Sequence, residues 1–149
     1  MNYRFKKSSY INVDAQVAGE ICESLGKNNQ LSAKALVDVS RAEDAPLHDA
    51  FEWDDSVAGE LYREGQARHI IASLEVVSIG SNEPVRAFFA IERKEPEYKH
   101  INMILENEND TEKLLNMAYR ELQAFQRKYS QLERLNKVFQ AINELDISV

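Results

Sequence analysis

The chain has 149 residues, of which 44% are hydrophobic and 29% are charged, and its formal net charge is −7. This length and composition predict one domain with a core of its own, and the negative charge repels nucleic-acid backbones except at a local basic patch. The single cysteine excludes an internal disulfide, and no apolar run reaches the roughly 18 residues that cross a bilayer. No apolar run typical of a secretory signal follows Met1. We therefore expect a soluble protein of the cytoplasm with no membrane association.

Residues 1–12 form a basic and aromatic segment without a helical period. Its aromatic and basic side chains are Tyr3, Phe5, Tyr10, Arg4, Lys6 and Lys7. We predict an arm here, followed by one domain over residues 13–149. A flexible basic segment can follow a nucleic-acid backbone even when the rest of the protein is acidic. Arg4, Lys6 and Lys7 are therefore candidates for contacts with phosphate groups.

Two helices are predicted after the arm. The first begins after Asp14, a capping residue, and carries apolar residues at three- and four-residue spacing as far as Leu25. Ser32 caps a second, shorter helix that ends near Arg41. Cys22 lies on the apolar face of the first helix, so a small buried thiol is the interpretation favoured over a nucleophile.

A connector over residues 42–55 combines a proline turn, large apolar side chains and many carboxylates. We expect Leu47, Phe51 and Trp53 to pin this connector to the core. Its acidic side chains, which surround His48, are Glu43, Asp44, Asp49, Glu52, Asp54 and Asp55. Mg²⁺ binds such carboxylates, and two-metal nucleases hold their metal ions with them. However, the connector has no lysine or arginine to hold the phosphoryl group of a nuclease substrate. Helix capping on a solvated turn is the favoured interpretation, and Glu43, Asp44, Asp49 and Glu52 are candidates for binding a protein partner.

A third helix is predicted from Ser56 to Ile71. Asp54, Asp55 and Ser56 are positioned to cap it, and its expected buried stripe is Val57, Ala58, Leu61, Ala67, Ile70 and Ile71. Arg63 and Arg68 share this helix with acidic residues, which is typical of an exposed face of mixed charge. The alternative is that both arginines contact phosphate groups.

The pattern then changes to that of a β-hairpin. Leu74, Val76 and Val77 lie in the first strand, residues 80–84 have turn chemistry, and apolar residues alternate from Val85 to Ile91. A hairpin with one apolar face needs a helix to cover it. Together with the helices, this hairpin predicts an α+β fold.

Residues 111–145 contain neither proline nor glycine and are predicted to be helical. Apolar residues follow a spacing of four, three, four and three at Ala118, Leu122, Phe125, Tyr129 and Leu132. One long helix and two helices with a kink near Ser130 both fit this pattern. The apolar seam either packs against the hairpin of the same chain or pairs two copies of the chain as a homodimer.

The sequence contains no recognisable set of catalytic residues. His48, His69 and His100 are isolated from one another and from Cys22, so no zinc ligand set is formed. There is no serine elbow and no glycine-rich phosphate loop, since the five glycines are scattered. We expect no enzyme, no metal site and no cofactor.

A set of motifs runs along most of the chain: Leu31 to Val37, Ala45-Pro46-Leu47-His48, Phe51-Glu52-Trp53-Asp54-Asp55, Tyr62-Arg63, Gln66-Ala67-Arg68 before Ile70-Ile71, and Glu121-Leu122 with Phe125, Tyr129 and Leu132. Together these motifs resemble a family of small uncharacterised proteins of tailed phages and prophages. The resemblance covers most of the chain, from about residue 14 to residue 142. It implies a phage or prophage origin and expression in the cytoplasm of a bacterial host, and it carries no catalytic residue over.

Three functions follow as hypotheses. The first is a non-enzymatic phage accessory protein that associates with DNA or a DNA-processing complex through Arg4, Lys6, Lys7, Arg63 and Arg68. The second is an acidic module that binds a phage or host protein, as an inhibitor of a host nucleic-acid enzyme or as a virion component. The third, and least favoured, is a metal-dependent nuclease that uses the connector carboxylates.

Overall fold

The computed structural model describes residues 1–57, 59–77, 82–92, 94 and 97–145. The chain divides into two compact units, Met1–Met103 and Ile104–Val149. The boundary that the sequence predicts at residue 12 lies inside the first unit. Among the described helices, none combines the length and the apolar character that crossing a membrane requires.

The α+β class predicted from the sequence is confirmed. The helices of the described residues are α1 (Ala15–Lys27), α2 (Ala33–Val39), α3 (Glu60–Ser73), α4 (Ile101–Leu105), α5 (Glu108–Lys128) and α6 (Asn136–Asn143), with short 3-10 turns at His48–Ala50 and Glu133–Leu135. The strands are β1 (Asn2–Phe5), β2 (Leu74–Val77), β3 (Pro84–Arg86), β4 (Phe88–Ala90) and β5 (Tyr98–His100). They form an antiparallel three-stranded sheet in the order β1-β2-β3 and a two-stranded sheet, β4-β5.

The first two helices begin where their capping residues predict. The Asp14 carboxylate accepts a hydrogen bond from the amide of Val17 at 2.9 Å, and the Ser32 hydroxyl accepts one from the amide of Ala35 at 3.1 Å. Each cap satisfies an amide that has no partner within its helix. After α1 the backbone of Asn29 enters the left-handed region with φ of 53°, which asparagine tolerates better than most residues.

Residues 2–5 form an edge strand, where the sequence predicted a free arm. β1 pairs antiparallel with β2, with Tyr3 opposite Val76, and the Arg4 guanidinium donates to the Glu75 carboxylate at 3.0 Å. The alternation of aromatic and basic residues that was interpreted as an arm is the two-residue period of a strand. Tyr3 is buried and Phe5 is half-buried, whereas Arg4, between them, is exposed.

Tyr3 fixes this strand to α1. A Cβ atom at Gly19 would lie 2.1 Å from Cγ of Tyr3, so the aromatic ring occupies the space that a side chain at residue 19 would take. The Tyr3 amide donates to the Gln16 side chain at 2.9 Å, and its hydroxyl donates to Glu23 at 3.0 Å. Burial, reinforced by the hydrogen bond to Glu23, raises the pKa of the Tyr3 phenol. The strand edge that faces away from β2 is therefore covered by α1.

The hairpin of β2 and β3 is confirmed, with Glu75 opposite Arg86. The predicted turn at residues 80–84 lies partly outside the described residues. The second strand is interrupted at fully buried Ala87, whose amide donates to the carbonyl of Leu74 at 3.0 Å. The carbonyl of Ala87 accepts from the amide of Ile101 at 2.8 Å. Ala87 thereby links the two sheets, and β4 pairs with β5 instead of continuing the hairpin.

The core of the first unit lies between the sheets and helices α1 to α3. Cys22 is fully buried within it, as predicted, and burial raises the pKa of its thiol to about 12. This thiol is therefore protonated at neutral pH. The largest fully buried side chains of the first unit include Phe88, Leu31, Leu36, Leu47, Ile70, Ile71 and Leu74.

The second unit contains two helices in place of one continuous helix. Helix α5 ends at Lys128, and the chain turns over residues 129–132 before the 3-10 turn and α6. The break lies beside Ser130, where the sequence allowed a kink. At the start of α5 the Asn107 side chain accepts from the amide of Asp110 at 3.0 Å, so Asn107 caps the helix and its first residue, Glu108, lies before the predicted helical range of residues 111–145.

Candidate functional site

The connector over residues 42–55 is clamped to the core of the first unit by Leu47 and Phe51, and Trp53 closes the connector on itself. The Trp53 indole donates to the carbonyl of His48 at 2.8 Å, and the two rings stack with centroids 5.0 Å apart and an interplanar angle of 9°. Leu47 is fully buried, and Phe51 is 7% exposed. The Gln66 side chain on α3 accepts from the amide of Glu52 at 3.1 Å. The predicted role of the apolar connector residues in the core is confirmed.

Arg63 belongs to this clamp and is not part of an exposed face. Its side chain is 7% exposed, and its guanidinium lies 5.5 Å from the ring centroid of Trp53. It pairs with Asp55 at 2.7 Å and with Glu60 at 3.3 Å, and the hydrogen bond that the guanidinium donates to Asp55 raises its pKa. An arginine held in this way by two carboxylates is not available to a phosphate group, so the predicted exposure of Arg63 is wrong.

The other predicted DNA contacts are only partly available. Arg4 pairs with Glu75 at 3.0 Å, and Arg68 lies 3.8 Å from Glu64 on the same helix. Lys6 and Lys7 are exposed directly after β1. These basic residues are thus distributed over a sheet edge, a loop and α3, and the most buried one is neutralised internally.

The acidic residues of the connector have separate roles. Glu43, Asp44 and Asp49 are exposed, and within the part of the chain that the structure describes they form no ion pair. Glu52 is half-buried, and its carboxylate accepts from the amide of Asp54 at 3.0 Å. Hydrogen bonds from Ser56 lower the pKa of the Asp54 carboxyl. Across the described ranges, no group of three or more histidine, cysteine or acidic residues is placed to hold a metal ion.

Helix α3 begins later than the connector carboxylates predict. Its first residue is Glu60, and Gly59 stands at the N-cap position without a side-chain cap. The acidic residues that were expected to cap the helix instead hold Ser56 and Arg63. Capping by residues 54–56 is therefore wrong, although these residues do order the turn before the helix.

An apolar groove of about 610 Å³ lies between α3, the connector and the segment after β1. One wall is formed by residues 10–12 and another by Asp49 and Ala50 of the connector. The remaining wall is α3, which contributes Leu61, Tyr62, Gly65, Gln66, His69 and Ile70. Tyr10 is 100% exposed and Leu61 is 80% exposed, so the rim of the groove presents apolar surface to solvent.

The shape of the groove follows from a glycine on α3. Leu61, Gly65 and His69 form one row at four-residue spacing, and residues of such a row are neighbours on a helix surface. Gly65 has no side chain, and a Cβ atom built there would meet no atom of the described residues within 4 Å. The row therefore has a gap at its middle, which is open to a bound group.

The sequence pattern did not reveal this groove because Leu61 was assigned to the buried stripe. The buried residues of α3 are Arg63, Ala67, Ile70, Ile71 and Ser73. Val57 is 70% exposed, and Ala58 lies outside the described residues. A signal was present in the sequence, since Leu61 and Tyr62 lie on a different side of the helix from Ala67 and Ile71. The buried stripe of α3 was hard to recognise because it includes Arg63, a residue type that is usually exposed.

His100 is a buried titratable group apart from the groove. Its ring is edge-to-face with Phe88 at 5.2 Å and with Tyr3 at 6.3 Å. Nδ1 accepts from the amide of Asn102 at 3.1 Å, whereas buried Nε2 has no hydrogen-bond partner in the described structure. Desolvation lowers the pKa of His100 and outweighs the nearby Glu23 carboxylate, which acts in the opposite direction. The folded state therefore favours the neutral imidazole.

Stability is expected to fall as the pH falls through the ordinary histidine range near about 6.5. In this window the unfolded chain takes up a proton at His100 that the folded chain does not, so the free energy of unfolding decreases toward acid. Urea unfolding between neutral and mildly acidic pH should show a shallower pH slope for His100→Phe than for the parent chain. Equal slopes for His100→Phe and the parent would contradict the assignment.

Comparison of this chain with known proteins finds no match. No protein-family model, no curated protein and no solved structure matches it. The resemblance to small phage proteins therefore stays a prediction, and the function is argued from the geometry of the groove.

Proposed function

We propose that this chain is a non-enzymatic protein-interaction module whose groove holds a segment of a partner protein. The segment has an apolar anchor flanked by basic residues. The observation that carries the proposal is the groove beside Gly65, which joins exposed apolar walls to a carboxylate at Asp49. If the resemblance to phage proteins holds, the partner is a phage or host protein.

The apolar part of the recognition lies on α3 and the segment after β1. Tyr10, Leu61 and Tyr62 are 100%, 80% and 58% exposed, and all three line one groove. Tyrosine is enriched at protein interfaces because its ring supplies contact area and its hydroxyl keeps a polar end. Exposed apolar residues that line a common depression are typical of interaction sites, whereas scattered ones are not.

The charge of the partner follows from the connector. Asp49 lies at the groove, and Glu43 and Asp44 are exposed on the same connector without ion pairs among the described residues. The nearby arginines Arg41 and Arg63 are already paired with carboxylates. The Asp49 carboxylate therefore gives the groove an acidic side, and a basic group on the partner segment complements it.

Selection from a random-sequence peptide display library against the intact chain tests this proposal. We expect the selected peptides to carry a large apolar residue beside lysine or arginine. Gly65→Leu should keep α3 folded, because leucine favours a helix over glycine. Its side chain fills the gap in the groove, so it should weaken peptide binding by about tenfold or more, which corresponds to about 1.4 kcal/mol. Asp49→Asn should weaken binding less and reduce its dependence on salt.

Ser24→Leu is the matched control because it adds the same side chain at an exposed position of α1 away from the groove. It should bind the selected peptides as the parent does. Equal binding by Gly65→Leu and the parent, or a selection that enriches no peptide, would refute the proposal.

The DNA-associated hypothesis predicts a different result. It requires binding to fluorescent DNA that falls steeply with salt and is lost in the Lys6→Glu, Lys7→Glu double variant. Removal of residues 1–12 is not a clean test, because it also removes β1. Salt-sensitive DNA binding of this kind, with no peptide selected, would favour the DNA-associated function over the groove proposal.

A further inference from the structure

Helix α5 exposes most of its apolar side chains. It is 21 residues long, and Asp110 is its one buried residue in the described structure. Leu115, Leu122 and Phe125 are 50%, 37% and 39% exposed. Helices of this length in proteins gain most of their stability by packing an apolar face, which this helix leaves largely uncovered.

The exposed residues form one continuous stripe. Leu115, Ala118, Leu122 and Phe125 follow a spacing of three, four and three, which is the spacing of a coiled-coil seam. All four are exposed. The Phe125 ring lies 6.4 Å from that of Phe139 on α6, so α6 covers only part of the stripe.

The residues of the stripe face one another when two copies of α5 are aligned antiparallel. If two copies align antiparallel about residue 120, Leu115 lies opposite Phe125 of the other copy and Ala118 lies opposite Leu122. Each layer then pairs a smaller side chain with a larger one, as interdigitating seams require. A parallel alignment would instead place Ala118 against Ala118 and Phe125 against Phe125, which leaves one layer underfilled and another crowded.

The charges of α5 favour the same direction. Its first half carries Glu108 and Glu112 at exposed positions, and its second half carries Arg120, Arg127 and Lys128, with Lys113 and Glu121 against the trend. This asymmetry also suits the helix dipole, so it indicates a direction only in combination with the apolar stripe. Antiparallel alignment brings the acidic half of each helix beside the basic half of the other, whereas parallel alignment brings like charges together.

We propose that a second copy of this chain covers the stripe, and that the two α5 helices pair antiparallel in a homodimer. The stripe and the groove have no residue in common. The proposal does not depend on what the groove binds.

Sedimentation equilibrium of the full chain tests the pairing. We expect a dimer that dissociates on dilution, and Leu122→Glu should weaken it by tenfold or more by burying a charge in the seam. Ala124→Glu is the matched control, because it adds the same charge two residues along on an exposed position outside the stripe. A parent chain that is monomeric at every concentration would overturn the proposal and indicate that the stripe packs within its own chain, and so would a dimer that Leu122→Glu leaves intact.

Disulfide trapping tests the direction and remains informative if Leu122→Glu fails to fold. A disulfide requires Cα atoms within about 7 Å, whereas ten residues along a helix span about 15 Å. Antiparallel pairing predicts that a mixture of Leu115→Cys and Phe125→Cys chains forms the mixed disulfide, and that neither variant alone does so. Parallel pairing predicts disulfides within each variant alone, and that result would overturn the antiparallel proposal.

Discussion

Gly19→Ala is expected to displace β1 from the first unit and to lower the free energy of unfolding by about 1–3 kcal/mol, the range for an overfilled core. The added Cβ would lie 2.1 Å from Cγ of Tyr3, so the ring must leave its position. Because Tyr3 is buried and its strand pairs with β2, moving the ring disturbs the sheet as well as the local packing. Urea unfolding measures the loss, and hydrogen exchange at residues 2–5 measures the release of the strand.

Gly26→Ala is the matched control for this change. It lies in the same helix, and a Cβ atom there would meet no atom within 4 Å in the part of the chain that the structure describes. Alanine favours a helix over glycine by up to about 1 kcal/mol, so the control should be neutral or slightly stabilising. If both variants had the same stability and the same slow exchange at residues 2–5, the contact between Tyr3 and Gly19 would not fix the strand.

Leu47→Ala is expected to lower the free energy of unfolding by about 2–5 kcal/mol, the usual cost of removing a fully buried leucine side chain. Leu47 is 0% exposed and belongs to the same core cluster as Phe51 and Leu36. The connector has little regular structure, so this side chain supplies much of what keeps it on the core. Trp53 fluorescence should follow the transition, because its indole is bonded to the carbonyl of neighbouring His48.

Asp44→Ala is the control that shows whether the loss of stability is specific to Leu47 or follows any substitution in the connector. Asp44 is exposed three residues before Leu47, and exposed substitutions usually change stability by less than about 0.5 kcal/mol. A connector that is bound to the core through Leu47 predicts a large loss for Leu47→Ala and almost none for Asp44→Ala. Similar small effects for both would mean that the connector contributes little to the fold.

The sequence predicted those parts of the fold that depend on neighbouring residues. The caps at Asp14 and Ser32 act over three residues, so the types of the residues involved are enough to place them. The β2-β3 hairpin is likewise local. The strand at residues 2–5 was missed because Arg4 meets Glu75 across 71 residues of sequence, and no local pattern specifies that pairing.

The candidate site was harder to predict for the same reason. Arg63 is typical of a solvated helix face, yet Asp55, Glu60 and Trp53 together make its burial favourable. Once Arg63 faces inward, the helix is rotated so that Leu61 faces solvent. The exposed carboxylates Glu43, Asp44 and Asp49 were recognised as partner-binding candidates, but the groove beside them depends on this rotation.

The position of β1 has a consequence for the order in which the chain folds. Its residues are synthesised well before those of β2, and the pair of Arg4 and Glu75 closes a loop of 71 residues. Helical caps form within a turn, whereas such a distant pairing must first overcome the entropy of closing the loop. During translation Tyr3 and Phe5 therefore remain without their partner strand until β2 has left the ribosome, so β1 is made early and reaches its native place late.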